Sequence, residues 1–170
     1  MVGTNSDDCH VVSTVRDVSL LMAPMRSLRG LKVGLVCPFS FSYPGGVQEH
    51  VKSLAQFLQK KGINAKIIIP RANPREDYGP GTSLLGGCFS LPLLGSQTNI
   101  SFAAAPSVQE FLSAEKFDLL HFHNPFSPFL PWQILENFEG PSVGTLHANP
   151  DSEESRVLPF LIDFLNLTVA

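Results

Sequence analysis

The chain holds 170 residues, 44% hydrophobic and 16% charged, with a formal net charge of −3 from 12 Lys plus Arg against 15 Asp plus Glu. Those values exclude a disordered tail or a disulfide miniprotein, and they leave no global positive field for nucleic acid or an anionic membrane; they suit one compact domain with a genuine core. The three cysteines, Cys9, Cys37 and Cys88, are widely spaced with no C-x-x-C, which predicts a reduced, cytoplasmic chain without a structural zinc site.

Residues 1–29 read as a loose leader. Leu20-Leu21-Met22-Ala23-Pro24 is too short for a signal core or a membrane span, and Met22 and Met25 are candidate starts just ahead of the first regular element. Leu31 to Cys37 is a short, mostly apolar, β-prone run stopped by Pro38, a buried strand. After a loop containing Pro44-Gly45-Gly46, the apolar positions Val47, Val51, Leu54, Ala55 and Leu58 form one stripe of a helix. Lys60-Lys61-Gly62 ends that helix, and Ile63 to Ile69 is a second strand closed by Pro70. Strand, helix and strand at this spacing make a βαβ unit. Residues 71–82, rich in Pro and Gly, read as a loop, and Phe89 to Leu94 as a short strand that Pro92 pushes toward an edge.

Further along, Pro106 to Ala114 reads as a helix with Val108, Phe111 and Leu112 inward, and Phe117 to Phe122 as a buried strand. Pro131 to Asn137 reads as a helix and Pro141 to His147 as a last strand. The sequons Asn99-Ile100-Ser101 and Asn166-Leu167-Thr168 are coincidental in a cytoplasmic chain. Together the elements predict an α/β fold: a doubly wound parallel sheet of four or five strands, one Rossmann-like domain over residues 30–150. Residues 151–170 form an apolar tail, Val157 to Leu167 being apolar almost all round, which expects cover from further structure.

In such sheets ligands collect outside the carboxyl ends of the strands, and three clusters fall there. Gly45 and Gly46 open the first helix, where free amides and the helix dipole favour a phosphate; a glycine-rich turn that only redirects the chain is the other reading. His121 and His123 lie two apart on a strand, hence on one face. A structural histidine pair, a metal site and ligands of a hydroxylated substrate are the readings. Metal is the weakest, because no acid or thiol is spaced to complete a tetrahedral site. Thr145-Leu146-His147 is a third strand end, bland alone. The three rims together suit a sugar or polyol bearing phosphate.

Two longer stretches carry a resemblance. Val33-Gly34-Leu35-Val36-Cys37-Pro38-Phe39-Ser40-Phe41 followed by Pro44-Gly45-Gly46-Val47-Gln48-Glu49-His50-Val51 resembles the N-terminal domain of family 4 retaining glycosyltransferases, closest to the phosphatidylinositol mannosyltransferase branch. Phe117 to Pro125 and Pro141 to Ala148 are similar to later blocks of that family, in the same order. The resemblance implies the N-terminal half of a GT-B fold, two Rossmann-like domains across a cleft, acting as a hexosyltransferase for mannose or glucose. The donor would be a nucleotide sugar such as GDP-mannose, the acceptor a polyol, sugar or lipid-linked molecule of the phosphatidylinositol kind. Gly45 and Gly46 would face the donor phosphates, and His123 would serve the transferred sugar as the catalytic residue. Phe39, Gln48, His121 and His147 would border the acceptor or sugar, with no metal and no cofactor. Phe39 stands where the family usually has tyrosine, and Ser42 and Asn124 where it has acids.

The basic residues and paired glutamates that the family's C-terminal domain brings to the donor lie outside these 170 residues. The resemblance therefore implies a chain truncated or split before a donor domain, inactive alone, with a separate donor-domain chain as a partner and at most peripheral contact with the inner membrane face. The alternative is a non-catalytic module that holds a sugar phosphate or pairs with a complete transferase. A nicotinamide oxidoreductase is disfavoured by the missing G-x-G-x-x-G fingerprint.

Overall fold

A computed structural model describes residues 11–12, 28–73, 75, 77–93, 96–127 and 129–147. The elements are β1 (Val11–Val12), β2 (Lys32–Val36), α1 (Gly46–Lys60), β3 (Asn64–Arg71), β4 (Thr82–Leu93), β5 (Ser96–Phe102), α2 (Ala105–Glu115), β6 (Leu119–His123), α3 (Leu130–Glu136) and β7 (Ser142–Thr145). The strands form one sheet in the order β1-β7-β6-β2-β3-β4-β5. Pairings among β7, β6, β2, β3 and β4 are parallel, while β4–β5 and β1–β7 are antiparallel. The class is the expected Rossmann-like α/β domain.

Each face of the sheet takes alternate residues of the central strands, as pleating requires. Val33, Leu35 and Cys37 join Val51, Ala55, Ala65, Ile67 and Ile69 beneath α1. Val36, Ile68, Leu120 and Phe122 face the other way, against Val108 and Leu112 of α2 and Leu130 and Ile134 of α3. Helices on both faces make the sheet doubly wound. A Cβ on Gly34 would meet Leu120 Cδ2 at 2.5 Å, so this face closes tightly over β2. Gly62, at φ +83°, turns the chain out of α1, and Ile63 N–H bonds the Leu58 carbonyl at 3.1 Å, a left-handed helix ending that glycine favours. Gln133 ties α3 to the end of β5, its amide accepting from Ala103 N–H at 3.0 Å and donating to Ala103 O at 2.7 Å.

Three expectations need correction. Among the described residues seven strands form, not four or five. The strand expected to close at Pro70 runs on to Arg71, with Pro70 at the register shift between Ile69 and Arg71, where a missing N–H costs little. The short strand at Phe89 begins at Thr82 and is 12 residues long. Its pairing with β3 ends at Gly87; beyond that point, among the described residues, β4 pairs only with β5, and Pro92 lies opposite Gln97 on this stretch. Of the 1–29 leader, Val11–Val12 pairs with β7 and Leu28 to Arg29 are described; the rest of it, and the 151–170 tail, lie outside the described residues.

From β2 the chain moves through α1 to β3 on one side, and it later returns to place β6 on the other side of β2. The point where the strand order reverses therefore lies between β2 and β6, which is where doubly wound sheets open a crevice at their carboxyl ends.

Candidate functional site

The loop after β2 enters α1 through Gly45, whose extended backbone (φ −167°, ψ 163°) offers no side-chain cap. The first helical bond runs from Glu49 N–H to Gly45 O at 3.1 Å, so the amides of Gly46, Val47 and Gln48 have no acceptor inside the helix. A Cβ on Gly45 would sit 2.6 Å from Gln48 Oε1, whereas one on Gly46 would meet nothing within 4 Å. Gly45 is thus required by the Gln48 side chain that folds over it, and Gly46 borders open space. Gln48 is buried and donates to the Tyr43 carbonyl at 2.8 Å, fastening the loop to the helix start. The loop is braced further by Ser42 N–H to Ser40 Oγ at 3.1 Å, by Phe41 edge-on to Tyr78 and by Lys52 over the Phe41 ring at 4.6 Å. Phe39 packs half-buried against the core of the α1 face.

At the ends of β6 and β7 the histidines close into a network. His121 Nε2 meets Thr145 Oγ1 at 2.7 Å, and His123 Nδ1 meets His147 Nε2 at 3.0 Å. Asn124, held at φ 52°, accepts His147 N–H on Oδ1 at 2.8 Å and donates its own N–H to the Thr145 carbonyl at 2.8 Å. The position where the family resemblance suggested an acid therefore keeps an acceptor oxygen, and Asn tolerates left-handed backbone better than most residues. The His121 and His123 rings lie 4.3 Å apart, so the strand spacing did put them on one face.

His50 completes the site. It comes from the first turns of α1, four residues after Gly46, and its ring centroid lies 5.5 Å from His123 and 5.0 Å from His147. One ring nitrogen from each of His50, His123 and His147 lies within 4.8 Å of the others. Sequence reasoning singled out His121, His123 and His147, and marked Asn124 only as a departure from the family pattern; it did not single out His50, which reaches the strand ends through the packing of α1 on the sheet.

Burial pushes His121 down to about 4, with the charges of His50 and His147 adding to it. Burial likewise pushes His123 to about 3, reinforced by His121, His147 and His50, and His147 is lowered by burial and by His50. At neutral pH these three rings are uncharged, each with one donor and one acceptor nitrogen. His123 is wholly buried, and its Nε2 has no hydrogen-bond partner among the described residues. A buried nitrogen without a partner is costly and asks for a ligand. The site thus joins a helix start that attracts anions to a neutral polar cluster that can exchange hydrogen bonds with hydroxyl groups.

The Glycosyltransferase Family 4 profile matches residues 44–168. The chain belongs to glycosyltransferase family 4. Several curated relatives it resembles are phosphatidyl-myo-inositol mannosyltransferases. It is 34% identical over 121 residues to the phosphatidyl-myo-inositol mannosyltransferase of Mycobacterium leprae (strain TN), covering 70% of this chain and 32% of that protein. It is 35% identical over 122 residues to the protein of the same name from Mycobacterium tuberculosis (strain ATCC 25618 / H37Rv), covering 70% and 32%. With that of Propionibacterium freudenreichii it shares 32% identity over 154 residues, 82% of this chain and 40% of that protein. The matches thus span about a third to two fifths of these relatives (32% to 40%). Among the described residues no helix of this family 4 domain is long and apolar enough to cross a membrane.

Proposed function

We propose that this chain is the acceptor-side part of a retaining hexosyltransferase that moves mannose, or glucose, from a nucleotide sugar such as GDP-mannose to a phosphatidylinositol-like acceptor. Family membership and the names of the relatives support the reaction class. The observation that carries the site is His50 on α1 lying against both His123 and His147, because it makes the α1 start and the ends of β6 and β7 parts of one site. In this reading the amides at Gly45 and Gly46 receive the donor phosphates. They stabilise the charge that develops on the leaving diphosphate as its bond to the sugar breaks, by prearranged donors and with no metal or cofactor in the transfer. His123, neutral, contacts the transferred sugar. His121 and His147 flank it, Gln48 holds the loop that shapes the acceptor side, and Phe39 supports that loop from below. The donor-binding half comes from a second domain, and contact with lipid acceptor is peripheral, at the inner face of the membrane.

The test is calorimetry of the chain with a sugar phosphate, paired with a transfer assay on GDP-mannose and phosphatidylinositol vesicles. The chain binds the sugar phosphate, and Gly46→Asp, which fits sterically but sets a carboxylate against the anion, weakens binding by about five- to thirtyfold without lowering thermal stability. Absence of sugar-phosphate binding would sink the reading. In the transfer assay the chain alone leaves donor and acceptor unchanged; turnover at ordinary rates would show that no second domain is needed.

A further inference from the structure

We propose that His50, His123 and His147 form a three-nitrogen site for a divalent transition cation of the zinc class. One ring nitrogen of each lies within 4.8 Å of the other two, and His123 Nδ1 and His147 Nε2 are 3.0 Å apart. Two nitrogens bound to a tetrahedral zinc, each about 2.0–2.1 Å from it, are separated by about 3.3 Å. The pair is therefore spaced almost as a metal would space it, with a shared proton where the ion would sit. When an ion enters, the ring that donated that proton carries it on its other nitrogen instead, and no proton leaves the pair. His50 is exposed, so rotation of its side chain brings in the third nitrogen without disturbing the core. Asn124 Oδ1 fixes the His147 backbone, so the ring starts from a defined position.

An all-nitrogen set suits zinc, nickel, cobalt or copper and not magnesium or calcium. Three protein ligands leave a fourth position for water or for an oxygen of a bound molecule. This site shares the crevice of the proposed transfer reaction but does not depend on it: metal binding is measured without sugar or lipid, so failure of either idea leaves the other standing.

The experiment is titration of the full, tag-free chain with zinc chloride by calorimetry and with cobalt(II) by visible absorption. A single ion binds per chain, cobalt gives the intense bands of a tetrahedral site without a sulfur-to-cobalt charge-transfer band, and magnesium gives no heat. His50→Ala, at an exposed position, and His147→Ala each weaken zinc binding at least about tenfold, while Cys88→Ser leaves it unchanged. Unchanged affinity in either cluster variant, an equal loss in Cys88→Ser, a weak octahedral cobalt spectrum, or a thiolate band from Cys37 or Cys88 overturns the proposal.

Discussion

At the amino ends of the central strands two lysines close on one carboxylate, whereas at the carboxyl ends of the same sheet His121, His123 and His147 are held neutral by burial. Lys32 of β2 and Lys66 of β3 both pair with Glu115 at the end of α2, Lys32 Nζ at 2.7 Å. Lys32 also reaches the Glu115 carbonyl, and its backbone N–H meets Asp118 Oδ2 at 2.7 Å. All three side chains of the triad are mostly covered, at 26%, 24% and 16% exposure. Every charge there has its partner. Opposite, His121, His123, His147 and Thr145 are joined by neutral hydrogen bonds, and one buried nitrogen is left over. The contrast teaches a division of labour: the closed, charged end holds strands and helix together, while the incomplete, neutral end can accept a ligand without first breaking an ion pair. Doubly wound sheets place their ligands at that same end.

Removing the carboxylate is the strongest way to break this comparison. Glu115→Ala strands two mostly covered ammonium groups and should cost about 3 kcal/mol of folding stability by urea denaturation, with sugar-phosphate binding at the far end unchanged relative to the wild type. A loss below about 0.5 kcal/mol, or a loss of binding in protein that is still folded, would erase the division.

Acid separates the two ends by window. In chelator-treated protein the unfolded chain takes up protons on its histidines below about 6.5, while folded His121 and His123 resist protonation down to about 4 and about 3. The unfolded state therefore binds more protons, and stability falls as pH drops through this range. For Glu115, burial alone would raise the carboxyl, but hydrogen bonds from Lys32 and Lys66 and their charges outweigh it and hold it below its ordinary 4.5. Its contribution is full above that value and is lost as pH falls toward the folded value. Melting temperature against pH should thus decline from about 6.5 downward, with a second component below 4.5, and Glu115→Gln should flatten only the lower component. Flattening across both windows would mean that the ends are coupled.

The apolar patterns reveal most of this scaffold before any coordinates. β2, α1, α2, β6 and α3 announce themselves because their buried faces repeat at the strand or helix period and end at Pro, Gly or Lys. β5 does not, since Ser96-Gln97-Thr98-Asn99 has no apolar run, and a strand at the edge of a sheet needs none. The start of β4 is hidden for a related reason: Gly86 and Gly87 lie inside it, and glycine within a strand weakens the apolar signal. In the site, the rule that ligands gather at strand ends finds His121, His123 and His147. It cannot find His50, because a helix residue reaches strand ends only through the packing of α1 on the sheet, a tertiary fact. Asn124 was visible as a missing carboxylate, whereas its hydrogen bond to His147 N–H depends on the β6–β7 register.

That last residue offers the finest test of the neutral end. Asn124 does two things at once: it holds a left-handed backbone at φ 52°, and its Oδ1 positions His147. Asn124→Gly keeps the first and removes the second; Asn124→Ala removes both. The acceptor for one part-buried N–H is worth about 1 kcal/mol, and left-handed alanine adds roughly 1 kcal/mol more. The expected order of stability is wild type, then Gly, then Ala, in steps of that size, read by denaturant midpoint. Asn124→Asp keeps both the backbone preference and an acceptor oxygen, so it should match the wild type at neutral pH. It would also set a carboxylate beside imidazoles that are neutral in the wild type, and the nearest ring, His147, should then titrate at higher pH by nuclear magnetic resonance. If the glycine variant were as stable as the wild type, His147 would need no such anchor, and the neutral end would be organised by ring packing and not by hydrogen bonds.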